Sequence, residues 1–179
     1  MGKSLIELVE EFKRLERKRR LLGDKMPLAE AERLTKLKMI IAQELHGAGP
    51  VERRQELRVP FNLRVRYRSG EVFVNNYIYN LSTGGVFIST PHPLPLDTPI
   101  KLHLIFDDQK KEIEVEGKVV WENTKQSSLR DISKPGMGVK FTRISPEARA
   151  FIEDIIHSVV TNQAKDADKE RDILSKKKK

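Results

Sequence analysis

The stretch Phe61-Asn62-Leu63-Arg64-Val65-Arg66-Tyr67-Arg68 decides the fold. Apolar and polar residues alternate strictly, so an extended strand would present one apolar face and one face carrying three arginines. Ser69-Gly70 then turns the chain into EVFVNNYIYN (71–80), which reads as the second strand of a hairpin. Further short runs follow Ser82-Thr83-Gly84-Gly85: VFIST (86–90), KLHLIF (101–106), KEIEVEGKVVW (111–121) and GMGVKF (136–141). A loop punctuated by Pro91, Pro93, Pro95 and Pro99 separates the first two of these, and a polar loop separates the last two. Leu102, Leu104 and Phe106 alternate, and the same period assigns Ile113, Val115, Val119 and Trp121 to one face. Six short strands joined by turns predict an antiparallel barrel or sandwich.

On either side the period changes to that of a helix. Leu5, Leu8, Phe12, Leu15 and Leu22 recur at three- and four-residue steps, interrupted only by Arg19, behind a Ser4/Glu7 capping box. Gly23-Asp24 breaks that helix, Pro27 suits the first turn of another, and Leu34, Leu37, Ile41 and Leu45 continue a stripe up to Gly47-Ala48-Gly49-Pro50. The two helices read as a hairpin, pairing within one chain or between two copies in a homodimer. Ser145-Pro146-Glu147 starts a third helix with Phe151, Ile155, Ile156 and Val159 as its apolar residues. Charges dominate from Ala164 to the closing run Lys176–Lys179, where disorder is expected. The expected organisation is therefore a helical hairpin (1–47), an arginine-bearing linker (48–60), a barrel (61–144), a helix (145–163) and a charged tail (164–179).

The 179 residues are enough to bury a core without cross-links, and cysteine is absent, which removes disulfides and thiolate metal sites. The N-terminus has no apolar signal region and no window reaches the roughly 18 apolar residues of a membrane span, so a cytoplasmic protein is expected. The net charge of +8 is spread along the chain and fits an anionic partner without naming one. The four histidines, His46, His92, His103 and His157, lack ligand spacing, and no nucleophile elbow or phosphate loop occurs, so neither a metal site nor an enzyme is expected.

Basic residues between 51 and 100 are all arginine: Arg53, Arg54, Arg58, Arg64, Arg66 and Arg68. A guanidinium offers a planar fork that grips phosphate bidentately, pairs with guanine O6 and N7, and stacks on bases. Arg64, Arg66 and Arg68 sit on the polar face of a strand, where solvation explains them. No periodicity explains Arg53, Arg54 and Arg58, so by residue type RRQELRVP (53–60) reads equally as a linker or as an anion clamp. Asn80-Leu81-Ser82-Thr83-Gly84-Gly85 lies between two strands, and by itself reads as a tight turn capped by Asn and Ser.

Together the two segments carry a resemblance. Arg54 and Arg58 with three residues between them, then Asn80-x-Ser82-x-x-Gly85, then a run of barrel strands, resemble the PilZ family of bacterial cyclic di-GMP receptors. The similarity covers about residues 51–145, including the strand that ends at Trp121 and the closing GMGVKF. It implies a six-stranded antiparallel PilZ-type barrel and a receptor or adaptor that changes conformation on binding cyclic di-GMP and signals through protein contacts. Arg54 and Arg58 would grip phosphate and guanine edges. Asn80 and Ser82 would hydrogen-bond guanine or order the turn, and Gly85 would admit the ligand to the backbone. Arg53 in a double arginine implies two stacked ligand molecules per chain; Trp121 reads either as a stacking face for the ligand or, more simply, as a core or strand-end residue. The expected partners are cyclic di-GMP and an unidentified protein met by the N-terminal helices or the barrel surface. An alternative reading is a basic barrel that binds DNA or RNA, for which a 6% aromatic content supplies few stacking platforms.

Overall fold

A computed structural model describes residues 3–46, 57, 59–69, 72–124 and 135–176. It divides into two units, one made of Met1–Leu57 with Ile155–Lys179 and the other of Arg58–Asp154.

In the second unit six strands close into a barrel: β1 (Val59–Ser69), β2 (Val72–Ser82), β3 (Gly85–Ser89), β4 (Pro99–Phe106), β5 (Lys111–Asn123) and β6 (Gly136–Arg143). The order around the barrel is β1-β2-β3-β6-β5-β4, every pair is antiparallel, and β1 pairs with β4 to close it. The alternation seen in the sequence becomes inside and outside: Leu63, Val65 and Tyr67 are buried, while Arg64 and Arg68 are exposed. Arg64 forks onto Asp107, and Arg66 donates to Glu112 at 2.9 Å, so charges clothe this outer face as expected. Tyr67, although inside, has a partner for its hydroxyl in the Asn76 amide at 3.1 Å. The first turns of the helix after β6 cap one barrel end, where Phe151 meets Phe106 edge-on at 5.0 Å and Lys111 Nζ lies 3.9 Å from the centre of the Phe151 ring.

Three register shifts matter for what the outer face presents. One lies in β1 between Pro60 and Leu63, one in β2 between Ile78 and Asn80, and one in β5 between Val119 and Trp121. A bulge reverses which residues face inward. In β5 it overturns the expectation that Trp121 shares the face of Ile113, Val115 and Val119. Those three are at most 5% exposed, whereas Trp121 is 43% exposed.

The first unit holds α1 (Leu5–Leu22), a short 3-10 turn (Gly23–Lys25), α2 (Leu28–His46) and the greater part of α3 (Pro146–Lys176). The predicted capping box is present: Ser4 Oγ accepts from Glu7 N–H, and Glu7 accepts from Ser4 N–H. The buried stripe of α1 runs through Leu5, Val9, Phe12 and Leu15, with Val9 in place of the expected Leu8 and with Leu22 left 38% exposed beside the hairpin turn. In α2 the expected Leu34, Leu37 and Ile41 are buried.

α3 departs from the sequence reading. It runs to Lys176 and does not end near residue 163, and its buried apolar positions are Ala148, Ile152, Ile156, Val160 and Ala164. Two contacts explain the extension. Ala164 is fully buried, and the Asp168 carboxylate accepts from Leu5 N–H at 3.3 Å and Ile6 N–H at 3.1 Å, which gives the first turn of α1 acceptors for otherwise orphan amides.

Inside this helical unit His157 Nε2 lies 2.6 Å from Glu16, whose other oxygen is 4.0 Å from Lys38 Nζ, and all three side chains are nearly buried. Glu16→Ala leaves the buried His157 Nε2 without the carboxylate it meets, so it should cost about 2 kcal/mol. Urea unfolding followed by far-ultraviolet circular dichroism measures this, and Glu16→Gln, which keeps an acceptor for His157, should cost less. A second carboxylate gives the unit a pH dependence. Glu11 takes hydrogen bonds from Arg33, its largest influence, and from Lys3, and its pKa falls from 4.5 to about 2. The lowered pKa means that its stabilisation is complete above pH 4.5 and is lost as the pH falls towards 2. The melting temperature of the helices should therefore decline across that window, and Glu11→Gln should flatten the decline.

Candidate functional site

The turn between β2 and β3 is built by Ser82. Its hydroxyl accepts from Gly84 N–H at 3.4 Å and donates to the Gly85 carbonyl at 3.1 Å, and the residue is 5% exposed. Outside the turn, Phe141 N–H donates to the Gly84 carbonyl at 2.8 Å, and Arg149 on the first turns of α3 donates to the Thr83 carbonyl at 3.3 Å. Backbone groups that a two-residue connection leaves unpaired are thus held by Ser82, β6 and α3. No local pattern in the sequence announces Arg149, because it meets the turn from 66 residues away.

Gly85 has a structural requirement stronger than the one expected. A Cβ there would stand 2.4 Å from the Val139 carbonyl oxygen, so β6 can pair this closely only with a glycine. Asn80 owes its position to the bulge in β2. Buried Ile78 and Leu81 flank the shift, and Asn80 lies between them, opposite Pro60 on β1 and Phe87 on β3. It is half-buried, and its alternation with the inward-facing Leu81 assigns its side chain to the outer face.

The ladder continues from there. Phe87 is opposite Gly138 on β6, and Gly138 is opposite Trp121 on β5. Asn80, Phe87, Gly138 and Trp121 therefore form one outward row across four strands, about 14 Å from end to end at ordinary strand spacing. The Phe87 and Trp121 rings touch over Gly138 with centroids 5.7 Å apart and planes tilted by 54°. One step along, Gly85 is opposite Lys140, and Lys140 is opposite Lys118. Lys118 is held by Asp97 at 2.6 Å; Lys140 is exposed.

Of the residues singled out in the sequence, the structure thus gathers Asn80, Ser82 and Gly85 at one turn and sets Trp121 in the same outer row as Asn80. Arg53, Arg54 and Arg58 lie outside the described residues. Phe87 and Lys140 were not found by motif, since their place depends on strand register. Among the described residues there is no cluster of His, Asp and Glu able to hold a metal ion, and no helix long and apolar enough to cross a membrane.

Comparisons with known proteins agree with this geometry. The family described as PilZ domain matches residues 52–158, more than half of the chain. A comparison with curated protein sequences finds no match. Among solved structures, the PilZ domain of YcgR from Escherichia coli with c-di-GMP is 17% identical with a TM-score of 0.52, over 66% of this chain and 99% of that one. YcgR from Escherichia coli in complex with c-di-GMP is 17% identical with a TM-score of 0.54, over 65% of this chain and 50% of that one. The K. pneumonia MrkH complex with c-di-GMP is 20% identical with a TM-score of 0.55, over 65% of this chain and 56% of that one. The chain thus spans about half the length of the latter two, and at these identities the likeness is one of fold. With its closed six-stranded barrel and its Asn-x-Ser-x-x-Gly turn, the chain belongs to the PilZ domain family.

Proposed function

We propose that the chain is a cyclic di-GMP receptor that changes conformation on binding and passes the signal on through protein contacts. The observation that carries this reading is the β2–β3 turn: Ser82 holds its backbone, and the bulge before it sets Asn80 on the outer face, where its side-chain carbonyl would accept from the N1 and N2 donors of a guanine. Arg54 and Arg58 supply what that turn lacks, two planar forks for phosphate oxygens and guanine edges. Ser82 acts by ordering the turn, since its hydroxyl is already engaged in both directions. Trp121 gives the far end of the row a stacking face. Arg53 sets the number of ligands at two per chain. The solved structures described with c-di-GMP support the reading because they share this barrel.

Calorimetric titration with cyclic di-GMP tests it. A micromolar or tighter dissociation constant with two molecules per chain is the expected result. One molecule per chain overturns the role given to Arg53, and no heat at micromolar concentrations overturns the receptor itself. The mass of the particle with and without ligand, measured on the same samples, reports whether binding changes assembly.

A further inference from the structure

We infer that Phe87 and Lys140 are ligand-binding residues too, Phe87 widening Trp121 into a shelf for one guanine and Lys140 taking a phosphate of the same nucleotide. The inference rests on the receptor reading above and adds a second wall to its site.

The shelf is built into the barrel wall. Phe87 is flanked by buried Val86 and Ile88, so its ring is on the outside, and Trp121 is brought to the same side by the bulge in β5. Two glycines of the GMGVKF strand make room beneath them. A Cβ on Gly136 would stand 2.7 Å from Phe87 Cζ, and a Cβ on Gly138 would meet Trp121 Cβ at 3.4 Å. Both rings therefore settle against the strand, and they touch each other at a centroid distance of 5.7 Å. A large apolar ring kept at a barrel surface gains little for the fold by being there. Next to Asn80, which reads a guanine edge, an aromatic surface gives that guanine a face to lie on.

Lys140 completes the chemistry. It alternates with buried Val139 and Phe141 and is two residues from Gly138, which places it about 7 Å along β6 on the outer face. Across from it is Gly85, which has no side chain to obstruct its reach. The neighbouring Lys118 is occupied by Asp97, whereas no carboxylate among the described residues engages Lys140. A base platform with a free ammonium one step away suits a nucleotide, which carries base and phosphate on one sugar. An apolar ligand would leave the ammonium unused, and inorganic phosphate would leave the rings unused.

Trp121 is the sole tryptophan, so its fluorescence reports on the shelf directly. Titration with cyclic di-GMP should quench it at the same midpoint that calorimetry gives. Phe87→Ala should weaken binding about tenfold, in the range of one lost base–aromatic stack. Lys140→Met should weaken it several-fold and make it less sensitive to added salt, as loss of one phosphate contact requires. Phe87→Leu, which keeps an apolar side chain of near volume, serves if the alanine variant does not fold. Binding by calorimetry without any change in Trp121 fluorescence, or unaltered affinity in Phe87→Leu and Lys140→Met, overturns the inference and leaves the receptor reading standing. No binding by the unaltered chain overturns both.

Discussion

Replacing Arg54 and Arg58 together with alanine will raise the dissociation constant for cyclic di-GMP by at least about three orders of magnitude. Truncating one partner of a hydrogen-bonded charge pair in an interface costs about 2–5 kcal/mol, and each factor of ten in affinity is about 1.4 kcal/mol, so two such losses remove binding from the measurable range. Arg54→Lys and Arg58→Lys separate charge from geometry. An ammonium keeps the positive charge but cannot match two phosphate oxygens or the O6 and N7 of guanine at once. Most of the affinity should therefore disappear with lysine as well. If the lysine variants bind as the unaltered chain does, the forks are unnecessary and the site is a diffuse cationic patch. Arg53→Ala should leave affinity within an order of magnitude and halve the stoichiometry. Thermal melting of each variant checks that the fold has been left intact.

What the sequence made legible is what local rules govern. The alternation at Leu63, Val65 and Tyr67 named the inward face of β1 because a strand has a period of two and one buried side. The Ser4 and Glu7 cap was legible because its two hydrogen bonds join residues three apart. Ser145 likewise accepts from Ala148 N–H at 3.1 Å, where the Ser-Pro start had placed the third helix. The family motif was legible as spacing. The face of Trp121 was not, because a bulge at Val119/Trp121 leaves no mark in composition and inverts every residue beyond it. The length of α3 was not legible either: its last turns are charged, and its anchor is Asp168 binding the amides of Leu5 and Ile6 from more than 160 residues away. The row Asn80–Phe87–Gly138–Trp121 belongs to the same class, since it exists only once four strands are in register.

Gly85→Ala will test which of two demands sets this residue. The motif reading gives the glycine to the ligand, which needs a close approach to backbone. The barrel gives it to β6, because the added methyl would lie 2.4 Å from the Val139 carbonyl, a backbone atom held between strands that cannot step aside. Relief requires β3 and β6 to part where Gly85 pairs with Lys140 and where Phe141 N–H meets the Gly84 carbonyl, at the edge of the turn that Ser82 builds. The expected loss of stability is about 3 kcal/mol, at the upper end for a side chain forced into a packed site. Gly138→Ala is the control, because its methyl would reach only 3.4 Å from Trp121 Cβ, and it should change stability much less. A Gly85→Ala protein that melts several degrees lower but still binds ligand when folded assigns the glycine to the barrel. One that melts normally and no longer binds assigns it to the ligand. The two demands are physically compatible. The strand pairing that excludes a side chain from Gly85 also leaves the surface beside Lys140 bare, so the packing of β3 against β6 would itself create the opening through which a nucleotide reaches the turn.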